Sequence, residues 1–435
     1  MSRCREAIDL SIKTQPLDRM MFFYAGVQEP LIRCLLRFRD HLDEGTLRRA
    51  VELSMDAVPP LRGTFDEARL SWRAARFSAA DVLRIEAVPG GSDPAPYMLS
   101  SIDWTRMPQL QVRILREAER DSMVFIVNHM VMDGAGFKQF LYLLADLYAK
   151  CAADPAYEGP APLAGPRNLG QILRNLPIPE RMKILAAPTD STNSDPAMRL
   201  PLVGNDARPA LVVSHLDEAL FEAVRHGAKK RGASVNDVFL AAYLRALRSM
   251  TGCARVAVPC PVDLRRFARP GQNCGICNLT GSFSCGVEIG ADETFYGTLA
   301  KVAEATHAQK EKTDCLKGPT LFCIIDRLLP HRVVRKLFLK LAPPPVIGYT
   351  NLGVLNEALL RFGAHEAGDA FFATAIKKPP YFQLSVSTYR GSCTLSSSLY
   401  ATEEDEKKVR DLHARIIRDM GSVAENVQNI PGCGC

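Results

Sequence analysis

In the stretch FIVNHMVMDGAGFKQFLYLLADLY, residues 125–148, an apolar run ends in a lone histidine, His129, followed closely by Asp133 and Gly134. A neutral imidazole titrates near working pH and can take a proton from an alcohol, amine or thiol as it attacks a carbonyl. The same residue types allow blander readings. A core histidine with its ring nitrogens hydrogen-bonded is the plainest of them. A metal site is weakly supported, because no second His or Cys lies three or four residues away and Asp133 alone is a poor ligand set. No G-x-S-x-G elbow, phosphate-binding loop or dinucleotide fingerprint occurs in the chain. General-base chemistry is the active role that remains.

A strand and a helix must position such a histidine. The run DSMVFIVNHM predicts a strand buried on both faces. From Phe137 to Tyr148 the apolar residues Phe137, Phe140, Leu141, Leu144, Leu147 and Tyr148 share one helical face. Upstream, residues 32–38 suit a strand, Asp43 can cap a helix with Thr46 in its first turn, and Pro59 and Pro60 stop that helix. RLSWRAARF and PQLQVRILRE read as further strands. Residues 155–208 are rich in Pro, Gly, Ser and Asp, as a long crossing segment would be. Beyond it, two helices break at Gly232, with Ser234 capping the second. RVAVPCPVDLR and YFQLSVSTYRGSCTLSSSLY read as strands, and a charged helix closes the chain from about 402 to 426. Strands and helices mix without regular βα alternation, which predicts an α+β fold.

The bulk numbers set wide bounds. At 435 residues the chain suits two domains or one pseudo-symmetric unit. Composition is ordinary for a globular protein, with 47% hydrophobic and 23% charged residues. The net charge of +6 is a small excess of 54 basic over 48 acidic residues and does not single out nucleic acid. The opening MSRCREAIDL carries charge where an export signal needs an apolar core, and no apolar run is long enough to span a bilayer. Thirteen irregularly spaced cysteines then predict reduced thiols in a cytoplasm.

Several blocks together resemble a known family. NHMVMDG is similar to the His-His-x-x-x-Asp-Gly signature of the acyltransferase superfamily that includes chloramphenicol acetyltransferase-like enzymes, condensation domains, polyketide-associated acyltransferases and wax ester synthases. PPLRGTF, DWTRMPQLQVRIL and the Phe-rich helix surround the motif in the family's order. GASVNDVFLAAYLRAL, VPCPVDLRRF, NLTGSF and YTNLG resemble later blocks, so the likeness covers most of residues 15–400. The D-F-G-W-G loop of the plant branch is absent, YTNLG being its nearest analogue.

The resemblance implies two chloramphenicol acetyltransferase-like α/β sandwich domains forming a V-shaped pseudo-dimer with a central tunnel. Composition places their boundaries at 1–170, a crossing linker at 171–208, and 209–435. The second histidine of the signature falls on His129, the general base; the first falls on Asn128, a departure from the pattern. Asp133 is expected to pair with Arg265 and organise the loop, with Gly134 as the turn residue. Asn128, the backbone N–H of Gly134, Ser385 and Ser387 are candidate oxyanion or substrate contacts. No permanently bound cofactor is expected. Acyl-CoA or an acyl-carrier-protein thioester serves as co-substrate, and a small molecule serves as acceptor. The chain reads as a stand-alone cytoplasmic monomer, with condensation-type amide formation or a non-catalytic binding module as alternatives.

Two further signals are weaker. CGIC at 274–277 with Cys285, and the terminal CGC at 433–435, look metal-like but lack a second correctly spaced pair, so incidental thiols and no metal are expected. RLLPHRVVRKLFLKLAPPP at 327–345 is basic and amphipathic. It is compatible with peripheral contact with an anionic membrane, or with a packed helix that Pro330 limits.

Overall fold

In the computed structural model, which describes residues 11–160, 166–186, 198–204, 207–310 and 312–428, the apolar run before His129 forms the strand Asp121–Asn128. It is buried along its whole length, as continuous apolar sequence requires of a central strand. It pairs antiparallel with Leu31–Phe38 on one side and with Leu110–Arg116 on the other. Leu83–Ala87 adds in parallel at one edge of this six-stranded sheet. The helices Glu44–Ala57 and Gly134–Ala153 lie side by side and contribute to the same core, built from Leu47, Val51, Phe137, Phe140 and Leu144. Asp43 caps the first of them, accepting from the Thr46 N–H at 2.8 Å, and the helix ends before Pro59.

The C-terminal part builds a second lobe. Its four-stranded sheet runs in the order Ile347–Val354, Phe382–Tyr389, Ser392–Ala401, Arg208–Leu216. The helices Glu218–Lys230, Val235–Thr251 and Glu403–Gln428 pack around it. Gly232 carries φ +65° between the first two of these helices, a left-handed conformation that favours glycine. Ser234 caps the second, accepting from the Asp237 N–H at 3.2 Å.

The two lobes interlock. The strand His365–Ala373 leaves the second lobe and pairs antiparallel with Leu31–Phe38, so the first lobe's sheet contains residues from both ends of the chain. Its core likewise takes in Leu264, Cys277, Leu316, Phe322 and Phe338. The linear division at 170 and 209 therefore does not coincide with the cores. Composition marks exposed segments, but it carries no signal for a strand that pairs more than three hundred residues away. The segment expected as a crossing linker contains two short helices, Gly170–Leu173 and Ile178–Ala186. Of the expected strand RLSWRAARF only Ser71–Arg73 is extended, in a small sheet with Ser11–Lys13 and Thr64–Asp66.

Candidate active site

His129 is the first residue beyond the motif strand. Its N–H donates to the Pro30 carbonyl at 2.8 Å, which holds the residue at the strand's end. The side chain is half-buried, and Nδ1 is buried without a hydrogen-bond partner among the described residues. Burial pushes the imidazole below the ordinary histidine range; the Lys377 charge adds to that shift and the Asp133 charge opposes it. The ring is therefore neutral at pH 7 and able to accept a proton.

Asn128 does a different job. It is fully buried, and its Nδ2 donates to Gln109 Oε1 at 2.8 Å while its Oδ1 accepts from the Met130 N–H at 2.9 Å. Gln109 is itself fastened to the carbonyls of Gly63, Trp104 and Met107. The amide at the first motif position thus shapes the turn that presents His129.

Asp133 caps the motif helix from outside it, accepting from the Gly136 N–H at 2.7 Å. The same carboxylate accepts from the Leu279 N–H at 2.7 Å and from the Thr280 hydroxyl at 2.9 Å. Arg265 Nη1 lies 3.2 Å from both of its oxygens. Arg265 also reaches Asp263 at 2.9 Å and the Cys277 carbonyl at 2.7 Å. Burial alone would raise the Asp133 carboxyl, but the Arg265 charge and the Gly136 and Leu279 N–H groups outweigh it and hold the carboxyl below its ordinary value. One carboxylate thereby ties the motif helix to a loop 130 residues and more downstream.

Gly134 is not the reversing turn residue that the sequence suggested. It opens the helix Gly134–Ala153 and is absent from the glycines with positive φ. Its requirement is space: a Cβ there would sit 2.3 Å from Leu352 Cδ2. Close approach is reinforced next door, where Lys138 Nζ donates to the Leu352 carbonyl at 2.6 Å.

Ser385 and Ser387 lie on the strand Phe382–Tyr389. The Ser387 hydroxyl accepts from the Phe372 N–H at 3.3 Å and so braces the strand that crosses between lobes. Ser385 is buried and its hydroxyl lacks a partner among the described residues. Among the described residues, neither serine has a hydrogen bond to His129. Cys274 and Cys277 are buried free thiols, and Cys285 lies within the strand Thr280–Glu288. No group of three or more His, Cys, Asp or Glu that could hold a metal occurs among the described residues. Cys433 and Cys435 lie outside them.

Two features escape the sequence reading. The first is a buried clamp under the motif turn, in which Arg167 donates to Asp18 at 3.2 Å and to the Val131 carbonyl at 2.7 Å. Asn278 bonds the same Asp18 at 2.9 Å and the Met130 carbonyl at 3.0 Å. Only Asn278 stood in a block singled out beforehand, NLTGSF; Asp18 and Arg167 have no local pattern. The second is Lys377. It bridges Gln28 of the first lobe and Leu399 of the second, and its Nζ donates to Gln28 Oε1. It makes no ion pair among the described residues, and burial pushes its ammonium down to about 7.

No family model matches the chain, and no curated protein matches it. Solved structures do. The first condensation domain of the calcium-dependent antibiotic synthetase superposes with a TM-score of 0.67 at 17% identity, covering 95% of this chain and 97% of its own. The fold is that of condensation domains. Two other proteins share this condensation fold over nearly the whole chain. The epimerization domain from the third module of tyrocidine synthetase B has a TM-score of 0.65 at 15% identity, covering 98% of this chain and 99% of its own. Polyketide synthase associated protein 5 from Mycobacterium tuberculosis has a TM-score of 0.64 at 15% identity, covering 95% and 99%. The condensation fold is two-lobed in both the neighbours and this chain, as the motif's resemblance implied.

Proposed function

We propose that the protein is an acyltransferase that moves an acyl group from a thioester to a hydroxyl or amine acceptor, with His129 as general base. The observation that carries this reading is His129 itself. It is a neutral, half-buried imidazole at the end of the motif strand, where Asn278 and Lys377 from the second half of the chain meet the first lobe, and its Nδ1 is buried without a hydrogen-bond partner among the described residues. In the proposed reaction His129 takes the acceptor's O–H or N–H proton as the heteroatom attacks the thioester carbonyl. The tetrahedral intermediate collapses by breaking the C–S bond, and the imidazolium returns the proton to the departing thiolate. Bringing acceptor and thioester together between two lobes supplies rate through orientation.

The oxyanion needs donors. The first N–H groups of a helix have no intrahelical partner, and in the motif helix Asp133 engages that of Gly136, leaving the Gly134 N–H as a candidate. The Ser385 hydroxyl, without a partner among the described residues, is a second candidate. Asn128 and Ser387 serve as braces, since their polar groups already hold the motif turn and the crossing strand. The thioester is a co-substrate, either acyl-CoA or an acyl carrier protein's, and the acceptor is a small molecule.

The test is incubation with a panel of acyl-CoA and carrier-bound thioesters and candidate acceptors, followed by release of free thiol. His129→Ala should lower turnover by roughly 10²–10⁴-fold, the worth of a general base. Turnover unchanged by that substitution would remove His129 from the chemistry.

A further inference from the structure

Large apolar side chains left in water are concentrated on one face of this protein. Among the described residues, nine of the thirteen most exposed ones belong to the helices Ile178–Ala186, Lys317–Leu328 and His331–Leu341 and the corner at Leu329. These helices pack in sequence, the first on the second and the second on the third, so their outer faces adjoin. Ile178 is 71% exposed, Met182 61%, Leu328 75% and Leu341 67%.

The exposure is not a sign of poor packing. The helices already have a satisfied inner side, where Phe322, Phe338 and Phe23 form a cluster with centroids 4.9–6.2 Å apart. Asp326 is buried on that side and paired with Arg19. Lys317–Leu328 carries a second apolar stripe opposite this one: Leu321, Ile324 and Leu328 recur at helical spacing and point to solvent. A helix apolar on both sides has a second surface to cover, and clustered exposed apolar side chains mark an interaction site.

The charges around the stripe on the second and third helices are basic, and on the first helix Glu180 is paired with Lys183. Arg327, Arg332, Arg335, Lys336 and Lys340 are all exposed, and the single acidic residue between 317 and 341 is the buried Asp326. Lys and Arg interleaved with protruding Leu, Ile and Val suit an anionic lipid surface. The aliphatic side chains enter below the headgroups while the cations stay level with the phosphates. Pro330 helps by ending one helix and starting the next, which puts Leu328 and Leu329 at a projecting corner.

We propose that this three-helix face docks the protein peripherally on anionic lipid bilayers. The inference is independent of the acyl-transfer reading, since no residue in it belongs to the site around His129.

Flotation of the full chain with lipid vesicles tests it. Binding is expected to vesicles of phosphatidylcholine containing phosphatidylglycerol, not to phosphatidylcholine alone, and it should weaken as salt is raised. The double variant Leu321→Asp with Leu328→Asp should lose binding while its melting temperature and circular dichroism stay those of the parent, because both side chains are exposed. Arg335→Gln, Lys336→Gln and Lys340→Gln should each weaken binding, by roughly fivefold per cation removed. Three results would overturn the proposal: no binding of the parent to phosphatidylglycerol vesicles, equal binding to both vesicle types, or full binding by the double aspartate variant. Capture of an acidic acyl carrier protein through this face, with no vesicle binding, would replace the lipid by a protein partner.

Discussion

Cutting the Asp133–Arg265 connection should unfold the protein more readily, and the structure indicates by how much and with what asymmetry. Asp133→Ala removes a helix cap, worth about 1 kcal/mol. It also strands the buried Leu279 N–H and leaves Arg265 without its buried counter-charge. Breaking a buried pair costs about 3–5 kcal/mol, and that range already contains the cap and the stranded donor. Arg265→Ala is milder. Asp133 keeps the N–H groups of Gly136 and Leu279 and the Thr280 hydroxyl, so the loss is that of charged hydrogen bonds, about 1.5–3 kcal/mol. Urea unfolding reads both, because the chain's two tryptophans, Trp72 and Trp104, belong to the first lobe's core and its margin. The double variant should be less damaged than the sum of the two by about 0.5–3 kcal/mol. Losses that add to within about 0.5 kcal/mol would mean the two groups do not act on each other, and the account of how the motif helix is anchored would fail.

A pH series separates the base from its neighbour. The His129 pKa is lowered in the folded protein, so kcat/KM should hold down to pH values below the usual histidine range and fall only then; an inflection at or above about 6.5 would contradict the burial argument. Lys377→Met removes a charge that depresses the ring, so it should move that inflection upward. Lys377 itself titrates at about 7 folded, against about 10.4 unfolded. The unfolded chain therefore holds the extra proton between those values, and stability should rise with pH across that window, by up to about 1.4 kcal/mol per pH unit from this group, a slope that Lys377→Met should abolish. Gly134→Ala presses on the terminal methyl of the half-buried Leu352, so it should destabilise by no more than about 1 kcal/mol, and adding Leu352→Ala should remove the collision; a larger loss that the second change leaves in place would put the strain elsewhere.

What could be read along the chain was local. The buried motif strand, the caps at Asp43 and Ser234, the break at Gly232 and the stop at Pro330 all follow from side-chain period and backbone preference within a few residues. His129 could be singled out because it stands at the end of an apolar strand in a block that resembles a family's motif, and Arg265 because its own block resembles a later one. Other features needed the folded molecule. Gly134 looked like a turn glycine because Asp-Gly favours turns, whereas its need for space depends on Leu352, more than two hundred residues later. The crossing strand pairs Ala373 with Arg33, Asp18 meets Arg167 and Asn278, and Gln28 meets Lys377. None of these pairs leaves a periodic trace, because a contact between distant segments constrains each residue only through its partner. The lowered pKa values have the same origin. Lys377 and His129 have the ordinary chemistry of their residue types, and only burial at the meeting of two lobes decides which proton each one holds.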